Sequence, residues 1–408
     1  MTTSAIRDQM EPAVETRPTR MATSISLAHH WLIGMRGGER VLEQASLLFP
    51  KAPIYTLVAS LEKISERLRS HRIVTSPLQW IPGSARHYKK FLPFFRFAIP
   101  QLRVSPGTRF VFSSDAALIK GLSVPPGVPH VCYCHSPPRY LWDLHDTYLT
   151  GSSDLGRMGR LLFRWIAPSA RNFDLVAASK VTRFIANSNF VRERIQRIYG
   201  RESVVIHPPV SVDDFDPTRA RKDFYLLVSE LTPYKRIDLA VEAFRRGGRK
   251  LVIIGDGSEL ASLRRKAPAN VVFLGRQPFD VLKEHLETCR AFIFPGIEDF
   301  GIAPCEAQAA GAPVIAYGVG GALETVKDGV TGIFFHEQTE EAMVAALERF
   351  EALPPFSPAA CRRNVEHLRP AEFRRAIRNY LETEFPDFFS GYAWPDETAG
   401  LDEGSGAA

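Results

Sequence analysis

The stretch that most constrains the fold runs from Phe292 to Thr325 and reads FIFPGIEDFGIAPCEAQAAGAPVIAYGVGGALET. Residues 291–294 are an apolar run short enough to be a buried strand, and Pro295-Gly296 ends it. Residues 304–310 place good helix formers behind an early proline, and residues 313–317 predict the next strand. The order strand, loop, helix, strand is typical of a parallel α/β sheet.

Two carboxylates in this stretch stand where ligands of parallel sheets bind. Glu298 lies on the loop after the first strand, and Glu306 lies eight positions later, inside the helix. Such ligands sit at the carboxyl ends of strands, beside helix N-termini whose free N–H groups favour anions. Two solvated surface carboxylates are the alternative, but the flanking Phe300-Gly301 and Gly320-Gly321 pairs favour a ligand site.

The spacing Glu298-x7-Glu306 resembles the signature of retaining glycosyltransferases of the GT-B fold, in the large family four. The resemblance implies that Glu298 is catalytic and orients the transferred sugar. It implies that Glu306 binds the ribose of a nucleotide-sugar donor. Backbone contacts with the donor are implied at Phe300-Gly301 and at Gly320-Gly321.

Strands alternate with helices through both halves of the chain, which predicts two α/β units with parallel sheets. A length of 408 residues also favours two domains. The resemblance implies an α/β fold of the GT-B class, in which two Rossmann-like, doubly wound parallel-sheet domains enclose an interdomain cleft. The predicted division is a disordered tail at 1–21, an N-terminal acceptor domain at 22–208, a C-terminal nucleotide-sugar donor domain at 209–370, a C-terminal helix at 371–390 that crosses back to the N-terminal domain, and a disordered tail at 391–408.

A glycine-rich loop opens the first predicted helix. Gly37 and Gly38 precede residues 39–48, whose apolar positions recur with helical spacing. A loop of this kind at a helix start can cradle a phosphate, although many glycine loops are only turns. The resemblance implies that this loop approaches the donor diphosphate and the acceptor.

Cations and glycines at strand ends in the second half are predicted to bind the donor. Lys235 and Arg236 stand just before a predicted helix, where cations could neutralise a leaving diphosphate. The family has an arginine where this chain has Glu230, and Arg236 is the candidate to replace that charge. The resemblance also places the turn Gly255-x-Gly257 near the donor and the backbone of Arg276 near the nucleobase.

His135 is the second predicted catalytic residue. It follows a buried run at 130–134, and Pro137-Pro138 prevents continuation of that strand and fixes the loop. A lone histidine is more often a structural hydrogen-bonding residue. The match of CHSPPRYLWD to the family implies instead that His135 contacts the transferred sugar, and this segment is similar to mannosyltransferases of bacterial surface-polysaccharide pathways.

Charge is unevenly divided between the two halves of the chain. Residues 1–210 carry 28 Lys and Arg against 14 Asp and Glu, whereas residues 211–408 carry 23 against 31. A basic half indicates either an anionic partner or a solvated basic face. Residues 87–103 interleave basic and aromatic side chains, which fits either peripheral contact with an anionic inner membrane or a helix whose aromatics fill the core. No nucleic-acid recognition motif accompanies the charge, so nucleic acid is not a predicted partner.

Composition bounds the cellular context. No apolar run reaches the roughly 18 residues of a membrane span, and residues 1–20 lack the apolar core of a secretory signal. The five cysteines are odd in number and fit no zinc spacing, which predicts a reduced, cytoplasmic protein. No Asp-x-Asp motif stands where it could hold a metal, so no metal and no cofactor beyond the donor substrate are predicted.

The resemblance therefore predicts a retaining hexosyltransferase. The transferred sugar is mannose from GDP-mannose, and the acceptor is a hydroxyl of a polyprenyl-diphosphate-linked glycan in surface-polysaccharide biosynthesis. The alternatives are a UDP-sugar-dependent enzyme of the same fold and a non-catalytic nucleotide-binding scaffold. An epimerase or phosphorylase of this fold is also an alternative, but a phosphorylase needs a longer chain and a lysine for pyridoxal phosphate.

Overall fold

The protein contains two parallel β-sheets, one in each half of the chain. The computed structural model describes residues 25–149 and 157–395. The predicted tail at 1–21, and residues 396–408 of the predicted second tail, lie outside the described residues. Every strand pairing in the two sheets is parallel, as the strand–helix alternation predicts.

The first sheet has seven strands in the order β3-β2-β1-β4-β5-β6-β7. The strands β1 to β3 are added toward one edge of the sheet, and β4 to β7 are added toward the other edge. The switch point therefore lies between the neighbours β1 and β4, and ligands of doubly wound sheets bind at such a point. The strands are β1 Ile25–His29, β2 Ile54–Thr56, β3 Ile73–Thr75, β4 Phe110–Asp115, β5 His130–Cys134, β6 Arg183–Ala186 and β7 Ser203–Val205.

The second sheet has six strands in the order β10-β9-β8-β11-β12-β13, with the switch point between β8 and β11. This is the doubly wound order of a nucleotide-binding sheet. The strands are β8 Tyr225–Val228, β9 Leu251–Ile254, β10 Val271–Gly275, β11 Ala291–Phe294, β12 Val314–Tyr317 and β13 Gly332–Phe335.

Helices connect the strands and cover both faces of each sheet. Those of the first half are α1 Gly37–Leu48, α2 Glu66–Arg69, α3 Phe95–Ala98, α4 His145–Leu149, α5 Arg157–Lys180 and α6 Asn189–Tyr199. Those of the second half are α7 Ile237–Arg245, α8 Leu260–Lys266, α9 Phe279–Thr288, α10 Ile302–Ala309, α11 Ala322–Thr325, α12 Glu340–Ala352, α13 Pro358–Val365, α14 Pro370–Glu384 and α15 Pro386–Phe389.

Central strands are buried on both faces, which explains why they read as continuous apolar runs in the sequence. In β4, Phe110 and Phe112 pack into one hydrophobic cluster, and Val111 packs into the cluster on the opposite face. In β8, Leu226 and Leu227 divide between two clusters in the same way. Each fully buried side chain of this kind contributes roughly 2 kcal/mol to folding.

The C-terminal helices pack on the first sheet, not the second. α14 contacts α1, and Phe373, Ile377 and Leu381 of α14 are buried in the cluster that also contains β1 and β4. Residues 391–395 of the predicted tail lie within the described part of the chain, where Tyr392 and Trp394 pack against Phe389. The last segments of the chain therefore tie the second half to the first.

Residues 87–103 form only short helical pieces. A 3₁₀ segment at Tyr88–Phe94 is followed by α3 and by a second 3₁₀ turn at Ile99–Gln101. Pro93 lies inside the first piece and Pro100 inside the last, and proline cannot donate the hydrogen bond that a continuous helix needs. Phe95 is buried in the core, as the core interpretation of this stretch expects, whereas Phe94 and Phe97 are exposed.

Candidate functional site

The carboxyl ends of both sheets face a common cleft of about 630 Å³. Loops after β1, β4 and β5 line one side of the cleft, and loops after β8 to β11 line the other. Ten of the residues predicted for the site lie on its wall: Gly37, Gly38, His135, Lys235, Gly255, Arg276, Glu298, Phe300, Gly301 and Glu306.

The N-terminus of α1 forms the cleft wall contributed by the first domain. β1 runs directly into the loop that precedes Gly37, where the helix begins. A Cβ on Gly37 would lie 2.7 Å from Ile302 Cδ1 of the second domain, so a larger residue here would displace the end of that side chain. Glycine at this position therefore lets the first turn of α1, with its free N–H groups and positive dipole end, approach the donor side closely.

Lys235 and Glu298 meet across the mouth of the second sheet. Lys235 Nζ contacts a carboxylate oxygen of Glu298, and the two side chains are 13% and 21% exposed. Burial is the main reason that the pKa of the Lys235 ammonium is lowered to about 7. The Arg139 guanidinium adds to this effect, and the carboxylates of Asp299 and Glu230 oppose it. A dianionic group placed here would restore the full charge of the ammonium.

Glu306 projects into the cleft from α10. Gly301 precedes this helix with φ +92°, a left-handed conformation that favours glycine. Arg40 of α1 donates to Glu306 Oε1 at 3.0 Å across the cleft. Burial raises the pKa of the Glu306 carboxyl, and the Arg40 guanidinium opposes that shift. Glu306 is thus a buried carboxylate held by a cation of the opposite domain.

His135 stands at the end of β5, as predicted from the strand and the Pro-Pro loop. Its backbone N–H donates to the carbonyl of Asp115 at 2.8 Å, and its Nε2 lies 2.7 Å from Ser114 Oγ. Burial is the main cause that lowers the pKa of the His135 imidazole to about 3, and His30 adds to it. His135 is therefore neutral over the physiological pH range and acts as a hydrogen-bonding group.

The loop that carries Glu298 is anchored on the first domain. Ser188 donates its hydroxyl proton to the Asp299 carbonyl at 2.6 Å, and Arg194 Nη1 donates to Asp299 Oδ1 at 2.5 Å. Glu324 accepts from the backbone N–H groups of Asn189 and Phe190 at 2.8 and 3.0 Å, at the N-terminus of α6. These bonds link the start of α6 in the first domain to the Glu298 loop and to α11 in the second.

Arg236 does not line the cleft, contrary to its predicted role. Its backbone adopts φ 55°, and its guanidinium turns to the carboxylate of Asp238 in the first turn of α7, at 3.2 Å. Glu230, in contrast, does line the cleft. In the structure, Arg236 therefore pairs outside the cleft and lies away from the wall that Glu230 lines.

Gly257, Gly320 and Gly321 also stand behind the wall of the cleft rather than on it. A Cβ on Gly257 would lie 2.4 Å from the Leu231 carbonyl, and one on Gly321 would lie 2.3 Å from the Phe300 carbonyl. The Gly321 N–H donates to the Glu298 carbonyl at 2.9 Å. These glycines serve close backbone packing, and the last pair supports the Glu298 loop from behind.

Two cations of the cleft were missed by the sequence analysis. Arg36 and Arg40 flank the start of α1 and face the second domain. Although burial opposes it, the pKa of Arg36 is raised by Tyr88 and by Glu230, so Arg36 provides positive charge opposite Glu230. No local pattern marks an isolated arginine as a ligand-binding residue, and only the approach of the two domains reveals these two.

Two properties of the described residues bear on the predicted context. Across residues 25–149 and 157–395, no three His, Cys, Asp or Glu side chains group in a way that could hold a metal ion. Within the same ranges, no helix combines the length and the apolar character required to cross a bilayer. All five cysteines are buried free thiols.

Two glycosyltransferase family models match the chain, one in each half. Residues 35–214 match the model of Glycosyltransferase Family 4, and residues 213–367 match that of Glycosyl transferases group 1. The two matches follow one another along the chain and correspond to the two sheets. Each half of the chain is therefore similar to one glycosyltransferase family.

Curated relatives are similar over part of their length. A D-inositol 3-phosphate glycosyltransferase of Mycolicibacterium paratuberculosis is 31% identical over 211 residues, which are 43% of this chain and 48% of the relative. A GDP-mannose-dependent alpha-(1-6)-phosphatidylinositol monomannoside mannosyltransferase of Mycolicibacterium smegmatis is 30% identical over 192 residues, which are 39% and 50% of the two chains. The chain thus spans about half the length of the curated relatives that it matches.

Solved structures confirm the predicted GT-B fold. Anabaena HepE, crystallised in complex with UDP and glucose, superposes with a TM-score of 0.62 at 15% identity, covering 88% of this chain and 100% of the HepE chain. Sucrose-phosphate synthase from Thermosynechococcus elongatus also gives 0.62, at 16% identity, with 90% and 99% covered. At these identities the likeness concerns the fold alone.

Proposed function

We propose that this protein transfers mannose from GDP-mannose to a hydroxyl of a lipid-linked glycan, with retention of the anomeric configuration. The observation that carries the proposal is the cleft itself. It brings a lysine and two carboxylates of the second sheet opposite a neutral histidine and a helix N-terminus of the first. The mannose donor is supported by the mycobacterial relative, whose name states dependence on GDP-mannose.

The charged groups of the cleft suit a departing diphosphate. As the C1–O bond breaks, negative charge grows on the diphosphate, and Lys235 Nζ and the N-terminus of α1 are placed to stabilise it. Arg36, missed in the sequence, adds a cation from the first domain. The acceptor hydroxyl forms the new bond to C1 and gives its proton to the leaving phosphate oxygen, so the step balances without a protein base.

The uncharged parts of the donor have partners as well. Glu306 is assigned to the ribose hydroxyls, a role in which Arg40 must release the carboxylate or share it. Glu298 is assigned to the hydroxyls of the transferred sugar, next to the phosphates that Lys235 binds. His135 contacts the sugar from the opposite domain. These assignments put the ribose at Glu306, the phosphates at Lys235 and the sugar between Glu298 and His135.

An exposed apolar stripe on the first domain supports a lipid-linked acceptor. Met158, Leu161, Leu162 and Trp165 of α5 recur at helical spacing and are 85%, 59%, 44% and 78% exposed. The buried face of the same helix packs against the segment Tyr88–Phe94, which carries exposed Phe94. Apolar side chains in such a row, uncovered by protein, mark a partner or membrane surface.

Charge around this stripe favours an anionic bilayer. Arg164 of α5 and Lys90 of the neighbouring segment are exposed, and residues 1–210 carry the excess of basic side chains. A basic amphipathic helix with tryptophan on its apolar side lies in the headgroup region and is attracted to anionic lipid. The stripe would hold the protein where a polyprenyl-linked acceptor resides.

The donor is tested by thermal shift followed by transfer assays. GDP-mannose should raise the melting temperature more than UDP-glucose, GDP-fucose or UDP-N-acetylglucosamine, and should be consumed when acceptor is present. A larger shift with a UDP-sugar would favour the alternative donor. Binding of any of these without release of nucleotide, with or without acceptor, would leave a non-catalytic scaffold.

The membrane surface is tested separately by vesicle co-sedimentation. Binding to phosphatidylglycerol-containing vesicles should exceed binding to phosphatidylcholine and weaken with salt, because both charge and apolar contact contribute. The double variant Met158→Ser and Trp165→Ser should lose binding. The matched control is Val330→Ser, an exposed apolar residue of the second domain, which should retain it. Equal loss in the control, or no binding by the wild type, would refute the surface.

A further inference from the structure

Three strands place two histidines on either side of one serine. Ser114 lies on β4, between β1 and β5, and its side chain is fully buried. Its Oγ lies 3.1 Å from His29 Nδ1 and 2.7 Å from His135 Nε2. His29 is fully buried as well, and it is not one of the residues that line the cleft. The cleft-lining side chain of His135 is thus joined through one hydroxyl to a buried histidine behind it.

The hydrogen bonds of the row His29–Ser114–His135 must run in one direction. A serine hydroxyl has a single proton, and each neutral imidazole has one N–H and one bare nitrogen. Ser114 can donate to His135 while it accepts from His29, or donate to His29 while it accepts from His135. If both imidazoles donated to Oγ, the buried serine proton would be left with neither of them as acceptor, which is costly.

The N-terminus of α1 decides between the two directions. The His29 ring lies against the first turn of this helix, since a Cβ on Gly38 would lie 3.2 Å from His29 Cε1 and 3.6 Å from Nε2. Nε2 is buried and has no hydrogen-bond partner within the described part of the chain. A helix N-terminus carries positive partial charge and free N–H groups, so a bare Nε2 is favoured there over an N–H. His29 then carries its proton on Nδ1 and donates to Ser114.

We propose that His29 and Ser114 are positioning residues that hold His135 as its Nδ1–H tautomer, so that it presents a hydrogen-bond donor to the cleft. In this direction Ser114 donates to His135 Nε2, which leaves the proton of His135 on Nδ1. The assignment rests on the proposed function in one respect: the acceptor of that proton is a hydroxyl or ring oxygen of the transferred sugar. His135 touches the sugar, whereas Ser114 and His29 act only through it.

The tautomer is measured directly by NMR on protein labelled with ¹⁵N-histidine. Long-range proton–nitrogen correlations distinguish a protonated ring nitrogen from a bare one. In the free wild-type protein, His135 should have a protonated Nδ1 and a bare Nε2, and His29 should have the same pattern. A His135 that carries its proton on Nε2 would overturn the proposal, and this result needs no variant and no substrate.

Variants test whether the row enforces this state. Ser114→Ala should leave His135 as a mixture of tautomers and lower kcat/KM about three- to tenfold, the effect of one hydrogen bond. Ser114→Thr, which keeps the hydroxyl, should restore the wild-type pattern. His29→Asn keeps a donor at the Nδ1 position and should resemble the wild type, whereas His29→Phe should resemble Ser114→Ala. An unchanged His135 tautomer in folded Ser114→Ala would also overturn the proposal.

Failure of the tautomer assignment and failure of the proposed function give different experimental results. The NMR measurement uses the free protein, so an absence of sugar transfer would leave the tautomer assignment standing. Transfer of mannose by a protein whose His135 is protonated on Nε2 would refute this inference and leave the proposed function intact.

Discussion

Replacing Lys235 by alanine is expected to lower kcat about a hundredfold. Lys235 Nζ lies in contact with Glu298 at the mouth of the second sheet, and its side chain is only 13% exposed. In such a partly dry site, one donor to the developing charge lowers the barrier by about 3 kcal/mol. At about 1.4 kcal/mol per tenfold change in rate, its loss corresponds to about two orders of magnitude.

Lys235 has a matched control in its neighbour. Arg236 has the same charge, but its guanidinium pairs with Asp238 outside the cleft. Arg236→Asn tolerates the left-handed backbone at this position and should keep kcat within about threefold of wild type, as expected for a surface change. The assay is single-turnover release of nucleotide from donor and acceptor. Equal losses in the two variants, or full activity in Lys235→Ala, would refute the assignment of the leaving-group cation.

Three other perturbations test separate parts of the molecule. The pKa of Lys235 is lowered to about 7 in the free protein, and a bound diphosphate favours the ammonium. Donor affinity should therefore fall as pH rises above about 7, and calorimetry should show proton uptake on binding. An affinity that is independent of pH from 6 to 9 would contradict this. Glu306→Gln should weaken donor binding about ten- to a hundredfold, the value of a hydrogen bond to a charged group, and an unchanged dissociation constant would remove Glu306 from the ribose. Lys120 Nζ lies 2.6 Å from the buried carboxylate of Asp174 and 3.2 Å from that of Asp115. Lys120→Met should therefore lower the free energy of unfolding by about 3–5 kcal/mol in denaturant titrations. A loss below about 1 kcal/mol would contradict the ion-pair account.

Buried strands were the part of the fold most accessible to sequence reasoning. Residues 130–134 and 291–294 were predicted with the bounds that the structure has, because short apolar runs that end at glycine or proline signals leave few alternatives. Strand β3 was missed because its three residues are only half buried at the sheet edge. α13 was missed because a short helix with a modest apolar face gives a weak periodic signal.

The residues of the candidate site also differ in how far local sequence determines their position. Groups fixed by local chain geometry were placed correctly in the cleft, such as His135 after a strand and Glu306 on a helix start. Arg236 was misplaced because two adjacent cations are equivalent in sequence, and only the backbone torsion and the nearby Asp238 decide which one turns away. Arg36 was missed because its position opposite Glu230 of the other domain is not encoded in any local sequence pattern.

The most direct test of the central claim is a crystal structure of the protein with an intact nucleotide-sugar donor. The account predicts the diphosphate within hydrogen-bond distance of Lys235 Nζ, the ribose at Glu306 and the sugar between Glu298 and His135. A donor bound with its phosphates outside this cleft, or with Lys235 and Glu298 still paired and neither in contact with it, would contradict the account.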